Sequence, residues 1–329
     1  MERRVDVGTL FEALRGGDRV ALGRAITLVE STRPSDRTQA DDLLSRAQVH
    51  AGRCMRLGIT GIPGVGKSTL IDALGREAIA NGRRVAVLAT DPTSVRSHGS
   101  ILGDKTRMES LSRSEQAFIR PTPSGGHLGG VARRTRETML ICEAAGHDLI
   151  LIETVGVGQS ELAVDGMTDL NLLLMIPGAG DELQGIKRGI MESADVIVLT
   201  KADGLSQADH QATRNALRNA IGFLPARESG RHPDVLITDA LSGKGIAGLW
   251  ELATSLHDSD ERSGFLAQRR QEQNSAWLHQ AIRDGLLQQL MLDPDTQRAM
   301  NEVEHLVRSG ELSPFTAAQR VLDRFRKGA

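Results

Sequence analysis

Gly61-Ile62-Pro63-Gly64-Val65-Gly66-Lys67-Ser68-Thr69 follows the pattern G-x-x-x-x-G-K-S. The residues before it, Met55-Arg56-Leu57-Gly58-Ile59-Thr60, make a short apolar run suited to a buried strand. Those after it, from Thr69 to Ala78, place apolar residues at helical spacing. In that setting the glycines let the backbone turn its N–H groups inward around a phosphate, and the helix adds the positive end of its dipole. Lys67 then reaches the terminal phosphates, and the Ser68 hydroxyl is a ligand for magnesium. A glycine-rich turn that merely precedes a lysine is the ordinary alternative, and the strand and helix on either side argue against it. The stretch predicts a nucleoside phosphate site formed by residues 61 to 69.

Outward from this loop, residues 53–258 alternate apolar runs with helical segments. Strands are expected at 55–60, 84–90, 117–119, 148–153, 170–176, 195–200 and 234–238. The alternation predicts an α/β fold of the P-loop NTPase kind, with a mostly parallel central sheet flanked by helices. Residues 1–52 read as an N-terminal helical extension. One run holds Leu10, Leu14, Leu22, Ile26 and Val29, a break falls at Ser31–Ser35, and a second helix follows at about 37–50. Residues 259–329 read as a helical arm of about three segments, broken at Asp293-Pro294 and Ser313-Pro314. Its own core is small, so it is expected to rest on the nucleotide domain or on a second copy of the chain.

Composition narrows the function. The chain has 329 residues, 40% of them apolar, enough for a sizeable core. Aromatic residues are only 2% and Tyr is absent, which leaves few rings for stacking on bases. A net charge of −2 without a long charged run implies neither a nucleic-acid nor a membrane partner. Cys54 and Cys142 are too few and too far apart for a disulfide framework or a thiolate metal site. No apolar run approaches the ~18 residues needed to span a bilayer. The N-terminus lacks the apolar stretch of a secretory signal, so the expected location is the cytoplasm.

The remaining chemistry falls at the ends of the expected strands, where ligands collect in such sheets. Asp91 and, thirteen residues on, Asp104 are acids placed to help hold magnesium, one or both, in what would be a first switch loop. Glu153 ends the strand that follows in order. It is placed to hold a magnesium-bound water or to orient the attacking water, while the Gly156 N–H is placed to meet the γ-phosphate. Pro177–Arg188 is glycine-rich and carries Gln184, able to position water, and Lys187 and Arg188, able to bring charge to a transition state. An ordinary helix from Leu183 is the alternative there. Thr200-Lys201-Ala202-Asp203 fits the guanine-reading pattern N/T-K-x-D. The Asp203 carboxylate accepts two hydrogen bonds from the guanine edge and is left unpaired by adenine, and the Lys201 stem covers the base plane. Asp239-Ala240-Leu241 occupies the place of a last base-binding loop. Asp replaces the usual Ser there, leaving the Ala240 N–H to meet the base. The order of motifs predicts GTP and GDP with Mg2+ rather than ATP.

Taken together, Gly61–Thr69, Ser100–Met108, Leu128–Ala132, Glu153–Glu161 and Pro177–Lys187 resemble the MeaB/MMAA family of P-loop GTPases. These are chaperones of adenosylcobalamin-dependent methylmalonyl-CoA mutase. The likeness is close over about 50–250, with Thr200 and Asp239 as departures. It implies a homodimer held partly by the C-terminal arm and slow GTP hydrolysis that rises when a mutase binds. It also implies a third switch at Pro177–Lys187, with Gln184 and Lys187 catalytic only in the complex, and hydrolysis that gates loading of intact cofactor and release of damaged cofactor. Three rival readings share the core. A nickel-inserting metallochaperone GTPase would need a Cys/His cluster, whereas His98, His127, His147 and His210 are scattered. An ATP-dependent small-molecule kinase or transport ATPase is opposed by Lys201–Asp203. A non-hydrolysing docking module is opposed by Glu153 and the candidate switches.

Overall fold

The computed structural model describes residues 6–91, 108–123, 128–154, 164–176, 188–201 and 207–328, with backbone alone at 90–91, 122–123, 128–132, 188, 207–210 and 328. Seven strands form one sheet: β1 (Met55–Gly61), β2 (Val85–Asp91), β3 (Ala117–Pro123), β4 (Leu149–Glu153), β5 (Leu170–Met175), β6 (Val196–Leu199) and β7 (Asp234–Ile237). Their order is β3-β2-β4-β1-β5-β6-β7, and every neighbouring pair is parallel. The connection from β1 runs toward β2 and that from β5 toward β6. The carboxyl ends of these two adjacent strands therefore flank a topological switch point, where ligands bind in open α/β sheets.

The strands are apolar on both faces because helices cover both. Leu172, Leu174, Val196 and Val198 join one core with Leu70, Ile71 and Leu74 of α4 (Lys67–Ala80) and with Leu249 and Trp250 of α9 (Ile246–Ser263). Their alternating neighbours Leu173, Met175, Ile197 and Leu199 join a second core. There they meet Ile190 and Met191 of α7 (Arg188–Glu192) and Leu217 and Ile221 of α8 (Gln207–Ile221). This is the period-two consequence of a strand buried on both sides.

All seven expected strands are present. The third runs four residues further than expected, through Pro121 and Pro123. It lies at the sheet edge, where a missing N–H costs no ladder bond. The N-terminal reading needs correction. The expected single run before Ser31 is two helices, α1 (Val7–Arg15) and α2 (Arg19–Val29), parted at Gly16-Gly17-Asp18. Gly17 turns with φ +86°, and the Asp18 carboxylate accepts from the Val20 N–H at 2.7 Å. The third helix, α3 (Pro34–Gln48), starts on Pro34 rather than after it, since proline suits a first helical turn. Helices α2 and α3 pack on α6 (Leu128–Ala144). A one-turn helix, α5 (Glu109–Ser112), precedes β3.

The chain divides into two compact units, 1–273 and 274–329. The boundary falls inside α10 (Phe265–Leu292), whose first turns belong with the sheet. The second unit holds the rest of α10, α11 (Pro294–Arg308) and α12 (Pro314–Gly328). Among the described residues no helix is long and apolar enough to cross a membrane.

The amino ends of the strands are stapled by a repeated device. Asp148, Asp169 and Asp195 each stand one residue before a strand, and each carboxylate accepts a backbone N–H at the start of a neighbouring one. Asp148 takes Arg84 at 2.9 Å, Asp169 takes Arg56 at 2.8 Å, and Asp195 takes Asn171 at 2.8 Å. Beside them β1 and β5 approach closely. A Cβ at Gly58 would clash with Asn171 Oδ1 and stand 2.7 Å from Val164 Cγ1. Gly58→Ala should therefore cost roughly 1–3 kcal/mol of unfolding free energy by overpacking. Gly248→Ala, in α9 with nothing within 4 Å, should gain about 0.4–1 kcal/mol. Denaturant titration of both variants checks the contrast.

Candidate nucleotide site

The loop between β1 and α4 is built by three left-handed glycines. Gly61, Gly64 and Gly66 have φ of +147°, +79° and +104°, and Gly66 is the N-cap of α4. These are conformations that side chains resist. At Gly61 a Cβ would also stand 2.8 Å from the Leu174 carbonyl oxygen of β5. Turning N–H groups inward turns carbonyls the other way, and those need donors. Lys67 supplies two, its Nζ donating to the Gly61 oxygen at 2.9 Å and to the Ile62 oxygen at 3.2 Å. The side chain is 7% exposed, so the ammonium is held within the loop rather than in solvent. Pro63 and Gly64 form the exposed crest, Val65 is buried beneath it, and Thr69 lies half-buried in the first turn of α4.

Of the candidate carboxylates, Glu153 is the one that meets Ser68 among the described residues. β4 lies beside β1, and Ser68 Oγ donates to Glu153 Oε1 at 3.2 Å. A hydroxyl and a carboxylate at this separation form a hard oxygen donor pair, which suits Mg2+. Asp91 ends β2 on the far side of β4, at the same edge of the sheet. Thr154, next after Glu153, is buried, and its N–H donates to the Ile59 oxygen at 3.1 Å, which ties the exit of β4 to β1.

On the base side, Thr200 takes a role the sequence did not show. Its Oγ1 donates to the Val65 oxygen at 2.7 Å and lies 3.3 Å from the Met175 oxygen. The hydroxyl thus satisfies a carbonyl of the phosphate loop. Lys201, next in line, is exposed and is the only non-glycine residue with positive φ (+55°) among the described residues. Such strain concentrates at ligand sites. Asp239 faces its own loop. Its Oδ1 accepts the Leu241 N–H at 3.0 Å, its Oδ2 accepts the Ser242 hydroxyl, and its N–H donates to the Lys244 oxygen at 2.9 Å. The Ser242 hydroxyl holds this carboxyl below the usual range. Ala240 is half-buried in this turn, and Leu241 is 84% exposed beside it.

The structure thus brings together Gly61–Thr69, Glu153 and Thr200, with Asp91 and Asp239–Leu241 at the same carboxyl-end edge. Asp104, Gly156, Gln184, Lys187 and Asp203 lie outside the described residues. The feature missed in the sequence was the pairing of loop carbonyls with Lys67 and Thr200, for which a hydroxyl in place of the usual Asn was the available signal. Thr200→Val keeps the shape and removes the donor. It should lower GDP affinity about tenfold, as expected for one buried carbonyl left unpaired, with the far-ultraviolet spectrum unchanged; calorimetric titration of GDP checks it.

The family model described as "Methylmalonyl Co-A mutase-associated GTPase MeaB" matches residues 22–295. A probable GTPase of Mycobacterium tuberculosis is 50% identical over 317 residues, covering 96% of this chain and 94% of that protein. The mitochondrial methylmalonic aciduria type A homolog of Mus musculus is 42% identical over 330 residues, covering 97% of this chain and 80% of that one. Among solved structures, one described as a LAO/AO transport system kinase matches with a TM-score of 0.75 and 35% identity over 99% of each chain. The switch-point site, the paired Ser68 and Glu153, and the family match over most of the chain lead to one conclusion: this chain belongs to the MeaB family of P-loop GTPases.

Proposed function

We propose that this GTPase hydrolyses GTP at the Gly61–Thr69 loop and uses the cycle to chaperone an adenosylcobalamin-dependent acyl-CoA mutase, with methylmalonyl-CoA mutase as its partner. The observation that carries the reading is the Ser68–Glu153 pair beside the phosphate loop, in a chain whose family is described by its association with that mutase. The relative from Mus musculus, named for methylmalonic aciduria, points the same way.

In this reading the loop amides and Lys67 bind the β- and γ-phosphates and stabilise the charge that develops as the terminal phosphoryl departs. Ser68 and Glu153, with Asp91 or Asp104, would hold Mg2+, which would supply neutralisation of the phosphate charge. Glu153 orients the attacking water, and Gly156 donates its N–H to the γ-phosphate. Asp203 reads guanine, with Lys201 over the base plane and Ala240 donating to it. Gln184 and Lys187 complete the site only when the mutase is bound. Nucleotide state and mutase binding are then coupled and reciprocal, so hydrolysis gates cofactor loading and the release of damaged cofactor. The protein acts in the cytoplasm.

The second unit is assigned to homodimer formation. Leu278, Ile282 and Leu286 recur every four residues along α10 and are each at least half exposed, as are Leu287, Met291 and Leu292. A helix with such a face gains by burying it against a second copy. The double variant Ile282→Glu with Leu286→Glu should sediment as a monomer where the parent sediments as a dimer; a parent that is itself monomeric would remove the assignment.

Phosphate release from GTP, with ATP alongside, with and without purified methylmalonyl-CoA mutase, tests the function. Slow turnover specific to GTP that rises with the mutase is expected. Turnover of ATP indifferent to the mutase would overturn the reading in favour of a kinase or transport ATPase. Lys187→Ala should abolish the stimulation while leaving GDP affinity within twofold of the parent.

A further inference from the structure

We propose that Arg269, Arg270 and Gln273, at the root of α10, are positioning residues for GTP hydrolysis that act through the amino ends of β1 and β5. The proposal rests on the P-loop chemistry and is independent of which partner the protein serves.

The three side chains grip the segments that lead into those two strands. Arg270 donates from Nε and Nη2 to the two Asp169 carboxylate oxygens at 2.9 and 2.7 Å. It also donates to the Cys54 oxygen at 2.6 Å and the Gly52 oxygen at 2.5 Å. A single guanidinium thereby bridges the entries to β1 and β5. Arg269, 6% exposed, donates to the Thr168 oxygen at 3.2 Å, the Asp165 oxygen at 3.1 Å and the Asp165 carboxylate at 2.7 Å. Gln273 adds a bond to the Thr168 oxygen at 2.8 Å. Backbone carbonyls are poor targets for a merely favourable ion pair, since surface charges find carboxylates more readily. Here two arginines and a glutamine within five residues fix main chain in the segments that lead into both strands.

The grip reaches the phosphates because β1 and β5 interlock without slack. Asp169, held by Arg270, in turn accepts the Arg56 N–H of β1 and donates its own N–H to the Arg56 oxygen at 2.9 Å. Two residues on, Gly58 lies against Asn171 and Val164, leaving no room for a Cβ. At the far end Gly61 lies against the Leu174 carbonyl, where the phosphate loop begins. Close packing transmits displacement rather than absorbing it. Over seven residues, about 20 Å of strand, a shift at the root of α10 becomes a shift of the Gly61 carbonyl that Lys67 holds.

Arg270→Lys and Gln273→Ala, in the full chain, test the assignment, with Leu43→Ala in α3 as a control for plain loss of stability. A displacement well under 1 Å impairs transition-state alignment more than ground-state binding. Both α10 variants should therefore lose about tenfold in kcat for GTP, with GDP affinity within threefold of the parent. Leu43→Ala should keep its kcat even though its Tm falls at least as far. If the α10 variants lower Tm and leave kcat unchanged, the residues are structural bolts and the proposal is overturned. Hydrogen exchange on the unaltered protein gives a second, mutation-free arm. Adding magnesium, GDP and aluminium fluoride, a mimic of the phosphoryl-transfer transition state, should slow amide exchange at 165–169 and 265–273 beyond what GDP alone does, because the grip counts at the transition state rather than in ground-state binding. Protection confined to the loop would overturn the proposal.

Discussion

A phosphate loop has a hidden cost, and the structure is arranged around meeting it. Amides turned inward to greet an anion force their carbonyls outward, into surroundings too dry to hydrate them. The Gly61, Ile62 and Val65 oxygens all face this problem. Lys67 answers for the first two, the second also accepting the Val65 N–H, and Thr200 answers for the third. An unpaired buried carbonyl costs on the order of 1–3 kcal/mol, so the loop holds its shape only if both donors arrive. One comes from the helix that the loop begins. The other follows directly on β6, two strands away in the sheet.

That dependence explains why the sheet is so firmly registered. β1 lies between β4 and β5, and all three contribute to the site: β1 the loop, β4 the Glu153 carboxylate, β5 the wall against Gly61. A slip of one strand would separate Ser68 from Glu153 or expose one of the loop carbonyls. The aspartate staples at the amino ends and the glycine contacts between β1 and β5 oppose such a slip from the opposite edge. Rigidity at one end of the strands and chemistry at the other are parts of one arrangement, with α10 anchored at the rigid end.

Much of this could be read along the chain. Strand positions followed from apolar runs of the right length, and the site followed from a motif whose action is local, since glycine conformations and a helix N-terminus need only neighbours in sequence. The misreadings have local causes too. The expected β3 stopped short of Pro121, which an edge strand tolerates, and the apolar spacing continued across Gly16-Gly17, where the helix breaks. Thr200 is different. Its partner is 135 positions away, and no pattern around it says that the hydroxyl turns toward Val65 rather than toward a base. The aspartate staples belong to the structure alone, since which N–H Asp148, Asp169 and Asp195 each take depends on strand order.

By itself, then, the sequence determined the class of fold, the phosphate loop and its Lys67 and Ser68, and the resemblance that the family match bears out. These depend on backbone conformation and on composition over short spans, where each residue's preferences act directly. Only the tertiary structure decided which carboxylate meets Ser68, which donor closes the Val65 carbonyl, and where α10 takes hold. Each of those pairs residues far apart along the chain, and their meeting is fixed by the order in which seven parallel strands pack, a choice made by burial of the whole sheet rather than by either partner.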